Sequence, residues 1–286
     1  MSTTVTAPAP VRTPPPRPVL PARPSFVGVL RGEWIKLLSL RSTWWILAVT
    51  IALITGISLA VAYSLDAMAA DPAQASSLAT TNGADVVSGG FQLGMVSVSV
   101  LGALLITGEY STGMIRSTLA AVPTRVPVLA AKAIAVAVLT VAVSAVSIAV
   151  SYLVTMPQLG TYDLVPALDQ ARTWQVFGGT VFFLVAAALF ALGVGTLLRS
   201  SAGAITVALT VLLLLPGILS FIRVGWVETI VDYLPLPAAG AFLGGNQGSL
   251  SSAGSGLTAT TGVLVVAAYA LVPLVAGAVV MRRRDA

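Results

Sequence analysis

Apolar residues in this chain are gathered into six long runs: Trp44 to Leu65, Val86 to Thr107, Val128 to Val154, Gln175 to Leu198, Ala204 to Ile222 and Thr260 to Met281. Each is close to or above the roughly 20 residues that a helix rising about 1.5 Å per residue needs to cross a hydrocarbon core. The pattern predicts an all-α integral membrane protein with six transmembrane helices. An even number of crossings puts both termini on one side.

The polar segments between the runs say which side. Those before the first run, between the second and third, between the fourth and fifth, and after the sixth hold Arg12, Arg17, Arg23, Arg31, Lys36, Arg41, Arg116, Arg125, Lys132, Arg199, Arg282, Arg283 and Arg284, thirteen of the fifteen basic residues. The other three segments carry only Arg172 and Arg223, against Asp66, Asp71, Asp85, Asp163, Asp169, Glu228 and Asp232. Once the acids Glu33, Glu109 and Asp285 are counted, one face has a formal charge of +10 and the other −5, consistent with the total of +5. Excess Lys and Arg mark the cytoplasmic side, so both termini are expected in the cytoplasm.

Composition agrees. Hydrophobic residues make up 57% of the chain, charged residues only 9%, and the mean hydropathy is +0.96, so the pI near 10 is no nucleic-acid signal. The basic residues instead face an anionic leaflet of membrane lipid. With neither Cys nor His in the sequence, disulfides, thiolate or imidazole metal sites and imidazole proton relays are excluded. Residues 1–25 contain eight of the 17 prolines and no apolar core of the kind a secretory signal needs; they read as a disordered, Pro-rich cytoplasmic tail.

Away from their membrane ends the runs contain no Asp, Glu, Lys or Arg. Lys132 lies within a turn of the end of run three, where it can snorkel to the interface. Charges at mid-bilayer are kept where protons, ions or voltage are handled. Their absence weighs against a proton-coupled carrier, a pump with its own relay or an intramembrane hydrolase.

Thr140, Ser144, Ser147 and Ser151 form one stripe on run three. They are a candidate lining for an amphipathic substrate's path, or else hydroxyls that bond back to their own helix and permit close packing. Ala145 with Ala149, and Ala191 with Gly195, have the spacing of tight helix contacts. Pro216-Gly217 and Pro273 should bend or break runs five and six. The segment from Arg223 to Ala259 holds Trp226, Ile230, Tyr233, Leu236 and Phe242 and reads as one or two short helices at or dipping into the outer leaflet.

Two cytoplasmic elements carry further signals. Ahead of run one, Val27, Leu30, Trp34, Leu37 and Leu38 share a helical stripe opposite Gly32, Glu33, Lys36 and Ser39, the pattern of a helix lying in the interface, with Glu33 and Lys36 an i,i+3 pair. Between runs two and three, Gly108 to Leu119 reads as a short amphipathic helix ended by Pro123. Glu109 is an acid where the topology calls for bases, so a specific partner is expected. That partner is either Arg116, Arg125 or Lys132 nearby, or another subunit.

At Glu33-Trp34-Ile35-Lys36 with Arg41-Ser42, at Gly108-Glu109 through Arg116, Leu119, Pro123-Thr124-Arg125 and Lys132, and at Tyr233-Leu234-Pro235, the chain resembles the membrane-spanning permease subunit of the ABC-2 type of ATP-binding cassette exporter. The likeness covers about residues 26–284; the proline-rich tail is not part of the pattern. It implies a permease domain that hydrolyses nothing and is driven by a separate ATPase subunit, which binds the ATP and Mg. It also implies pairing with a second permease subunit, as a homodimer or heterodimer. Glu33, Lys36, Glu109, Gly113 and Arg116 would belong to the coupling apparatus, and the solute moved would be apolar or amphipathic.

The chain has no G-x-x-x-x-G-K-[ST] segment, which fits that division of labour. No cofactor, metal or nucleic acid is expected on it. The alternatives are an ion-coupled secondary carrier of a neutral solute and a non-transporting scaffold or sensor subunit. Arg outnumbers Lys thirteen to two, which points to a high-G+C bacterial genome and hence the plasma membrane.

Overall fold

The computed structural model describes residues 25–71, 73–114, 125–222, 224–243 and 256–283. All regular structure among them is helical. Six helical segments are long and apolar enough to cross a membrane: 41–70, 83–112, 126–160, 171–198, 201–219 and 259–283. Each of the six apolar runs lies within or close to one of these, lengthened by a turn or more of polar helix at most ends. The proline-rich residues 1–24 lie outside the described residues.

The first helix, α1 (Phe26–Ser39), starts where Ser25 Oγ accepts from the Gly28 N–H at 3.2 Å, an N-cap that satisfies one orphan amide. Leu40 is extended, and the chain turns there into α2 (Arg41–Ala70), the first candidate span. Short helices α3 (Ala75–Thr80) and α4 (Gly83–Val87) follow. Then comes α5 (Phe91–Thr112), so span two is interrupted at Ser88 to Gly90. A Cβ on Gly90 would lie 2.3 Å from the Ile54 carbonyl oxygen, so only glycine lets α2 approach this closely. The Ser58 hydroxyl bridges the interruption, donating to Val87 O and accepting from Gly90 N–H.

After α6 (Arg125–Gly160), helix α7 (Ala171–Leu198) runs through the middle of the bundle. Its small residues set its packing distances. A Cβ on Gly102 of α5 would sit 2.1 Å from Ala188 O, and one on Gly193 would sit 2.7 Å from Pro273 of the last helix. Ala191 and Gly195 are buried in this contact, with Gly195 against Ile106 and Thr107. Lipid tails offer helices no hydrophobic driving force for association, so such backbone approach is where packing enthalpy is gained. Ala145 and Ala149 differ: both are exposed, because that face of α6 borders an open groove beside Tyr152 and Trp174 instead of a neighbouring helix.

The fifth span is not uniform. Helix α8 (Ser201–Leu209) passes into a π-helical turn, Thr210–Leu214, before α9 (Leu215–Leu219). Pro216 has no N–H to donate and its ring crowds the preceding turn; the wider π turn accommodates both. The last helix, α12 (Ala259–Arg283), by contrast continues through Pro273 without a break.

Between these spans lie α10 (Gly225–Asp232) and α11 (Pro235–Leu243). Helix α10 exposes Trp226, Ile230 and Tyr233. The segment forms two short helices, as its composition implied, and α11 is buried in the protein. Leu236, Phe242 and Leu243 pack in the core, and α11 meets α7 and α12 where Gly179 and Gly262 leave room.

Candidate functional site

The chain's two lysines meet two of its acids at the basic end of the bundle. Lys132 Nζ donates to Glu33 Oε2 at 2.5 Å and to Glu109 Oε1 at 2.7 Å. Lys36 Nζ donates to Glu33 Oε1 and to Glu109 Oε1, each at 3.0 Å. Charges alternate around this four-membered ring, which sums to zero. Three helices supply it: α1 gives Glu33 and Lys36 one turn apart, α5 gives Glu109 in its last turn, and α6 gives Lys132.

Burial sets the energetic weight of the ring. Lys132 is 0% exposed, Glu33 2% and Glu109 7%. Desolvating an ion costs several kcal/mol, and it is offset only where opposite charges and hydrogen bonds are held in good geometry. Here each cation touches both anions. Lys132 therefore does not snorkel to the interface; the two carboxylates neutralise it inside the protein. Glu33 likewise does not lie on a solvated face of α1 but points with Leu37 into the bundle, while Val27, expected on the apolar contact face, is 72% exposed. The ion partners beneath α1 override its hydrophobic stripe.

Lys36 is partly open to solvent. Burial lowers its pKa, but the hydrogen bonds and charges of Glu33 and Glu109 outweigh that effect and hold the ammonium above the ordinary lysine value. Glu109 Oε2 is buried without a hydrogen-bond partner among the described residues. Glu109 and Lys36 also border a cavity of about 350 Å³ between α1, α2 and α5, walled mainly by apolar groups such as Leu101, Leu105 and Ile46, with hydroxyls of Ser39, Ser42, Thr43 and Thr112.

Helix α5 carries the chain straight through Glu109 to Thr112, so Gly108 to Thr112 ends the second span and does not begin a separate helix. Gly113 stops it in the left-handed conformation, φ 72°, with its N–H bonded to Tyr110 O; an L side chain at that position is disfavoured. Arg116 and the rest of the expected amphipathic helix, 115–124, lie outside the described residues. Next to this end, Arg199 stacks over the Tyr110 ring at 5.2 Å, a contact that sequence spacing does not reveal.

The hydroxyl stripe of α6 is inside the protein: Thr140, Ser144, Ser147 and Ser151 are all fully buried. Ser147 donates back to Val143 O, and Ser151 donates across to Thr55 of α2 at 3.3 Å. Thr140 Oγ1 and Ser144 Oγ have no hydrogen-bond partner among the described residues. The stripe thus combines self-satisfied hydroxyls with unsatisfied ones along the α2–α6 contact.

Fold and site together define an all-helical protein with six helices of membrane-spanning length and, at its basic end, a ring of four ions, three of them buried. Residues 42–286 match the model of a family described as DUF2705, protein of unknown function, and the chain belongs to that family. No curated protein matches the chain.

Proposed function

We infer that the chain is the membrane-spanning permease subunit of an ATP-driven exporter, with both termini in the cytoplasm and the motor in a separate ATPase subunit. The observation that carries this reading is the ion ring. In a bundle whose spans otherwise avoid charge, Glu33, Lys36, Glu109 and Lys132 tie α1 to the ends of α5 and α6. These are the elements through which the resemblance to ABC-2 type permeases brings in the motor's stroke. A push on α1 or on the segment after Gly113 must either carry the ring along or break it, so displacement passes rigidly into spans two and three.

The remaining features support the same picture. Spans one, five and six are the least buried of the six, with span three intermediate, which leaves faces for lipid and for a second permease subunit. Thr140 and Ser144 hold buried hydroxyls that a path opening between α2 and α6 would give partners to, suiting an apolar or amphipathic solute.

The test is reconstitution with an ATPase subunit that co-purifies with this chain. Glu109→Gln combined with Arg116→Ala is expected to abolish solute-stimulated ATP hydrolysis while leaving the assembled complex intact on gel filtration. Unchanged stimulation in that variant would remove the coupling role from these residues.

A further inference from the structure

Glu33 fixes how α1 is rolled, and that roll turns a second face of the helix along α6. Val27, Arg31 and Trp34 follow one another at +4 and +3, so they share a face roughly a third of a turn round from Glu33. Together with Leu30 they line one side of a groove of about 340 Å³, whose other side is α6. There Ala135 is the buried floor, while Ile134 and Val138 are 42% and 50% exposed, so the groove opens sideways, away from the bundle. Residues 134–138 stand roughly 9 to 15 Å along the helix from Val128, where the third apolar run begins. That keeps the groove inside one leaflet of a hydrocarbon core about 30 Å thick.

Charge decides what covers it. Every residue lining the groove is apolar except Arg31, whose side chain is exposed and has no ion-pair partner among the described residues. Helix α1 carries three charges, and the ion ring takes up two of them, Glu33 and Lys36, in a set that sums to zero. Arg31 is therefore the uncompensated charge of the helix. No acid lines the groove, so the cation of a zwitterionic headgroup would find no carboxylate there. An apolar slot with a lone guanidinium at its wall matches a hydrocarbon chain attached to an anion, and a planar fork of donors binds phosphate oxygens in pairs.

We propose that the groove between α1 and α6 is a binding site for one anionic phospholipid, its phosphate on Arg31 and one acyl chain laid against Trp34, Ile134 and Val138. Leu30 and Trp34 pack on the core with one side and offer the chain the other. The lipid thereby completes the seat of α1, which the ion ring holds from within and the acyl chain covers from without. Only the membrane-spanning nature of the bundle is required; a permease, a carrier or a sensor could own the same site.

The experiment is tryptophan quenching of the full chain in phosphatidylcholine nanodiscs, into which phosphatidylglycerol or phosphatidylcholine with brominated acyl chains is titrated. Bromine quenches tryptophan on contact, and the signal of Trp34 is the difference between wild type and Trp34→Phe. Half-quenching of Trp34 is expected at a content of brominated phosphatidylglycerol about 5- to 10-fold lower than of brominated phosphatidylcholine. Arg31→Gln should abolish that preference and Arg31→Lys should restore part of it. Val138→Phe, at an exposed position on the groove wall, should protect Trp34 from both lipids. Equal quenching of Trp34 by the two lipids overturns the proposal, as does a preference that survives Arg31→Gln. The same preference at the four tryptophans left in Trp34→Phe would mean enrichment over the whole surface, and no site. Trp34 untouched by either lipid while the others are quenched would show the groove closed by protein, and quenching of none would remove the membrane and the site together.

Discussion

Lys132→Met is the substitution that bears most directly on the ion ring. The side chain is fully buried and donates to two carboxylates at 2.5 and 2.7 Å, so removing its charge leaves Glu33 and Glu109 with only Lys36 between them among the described residues. Breaking a buried ion pair from one side typically costs about 3–5 kcal/mol, because the surviving charge stays desolvated and unpaired. Methionine keeps nearly the same volume, so cavity formation adds little. Equilibrium unfolding in mixed micelles should therefore show Lys132→Met destabilised by about 3–5 kcal/mol. Adding Glu33→Gln removes the anion that the first change stranded, leaving Lys36 with Glu109. The double variant should then be more stable than the sum of the two single losses by about 1–3 kcal/mol, the coupling expected of groups in one network. A Lys132→Met protein as stable as wild type, or strict additivity in the cycle, would refute the claim that these four ions act as a unit.

Three further outcomes follow from the same geometry. Gly102→Val should destabilise the α5–α7 contact by about 1–3 kcal/mol or more through overpacking, since a Cβ there would meet Ala188 O at 2.1 Å; Ala145→Leu, on the exposed face of α6, should be near neutral in the same unfolding assay. Gly113→Ala should cost about 1 kcal/mol, because alanine resists the left-handed turn that ends α5. Lys36 titrates above its ordinary value of 10.5, so its stabilisation is complete below that pH and is lost only as pH rises through the higher folded value. The stability difference between wild type and Lys36→Met should accordingly hold constant from about pH 7 to pH 9 and shrink only above the ordinary value.

The helices themselves were legible because membrane-spanning length is written in composition: the six apolar runs and the six long helices agree to within a few turns. Part of the site was legible too. Glu33 and Lys36 pair as their spacing predicts, and Glu109 stood out as an acid among bases, with Lys132 among the partners its position allowed. What a linear pattern does not contain is which helix lies beneath which. Periodicity therefore put Glu33 on the wet face of α1, whereas Lys132, 99 residues away, draws it inward. The pair Ala145 and Ala149 has the same small-residue spacing as Ala191 and Gly195, yet only the second pair has a helix against it. The interruption of the second span at Ser88 to Gly90 falls inside what reads as one continuous apolar run, and only the Ser-Gly-Gly triplet there marks it.

The account stands or falls on where the motor resides. Purifying the tagged chain from its native membrane under mild detergent should bring down a nucleotide-hydrolysing subunit in stoichiometric amount, and solute movement in proteoliposomes should require ATP together with that subunit. If the chain purifies alone and drives uphill flux on an ion gradient without nucleotide, it is not the passive half of an ATP-driven machine.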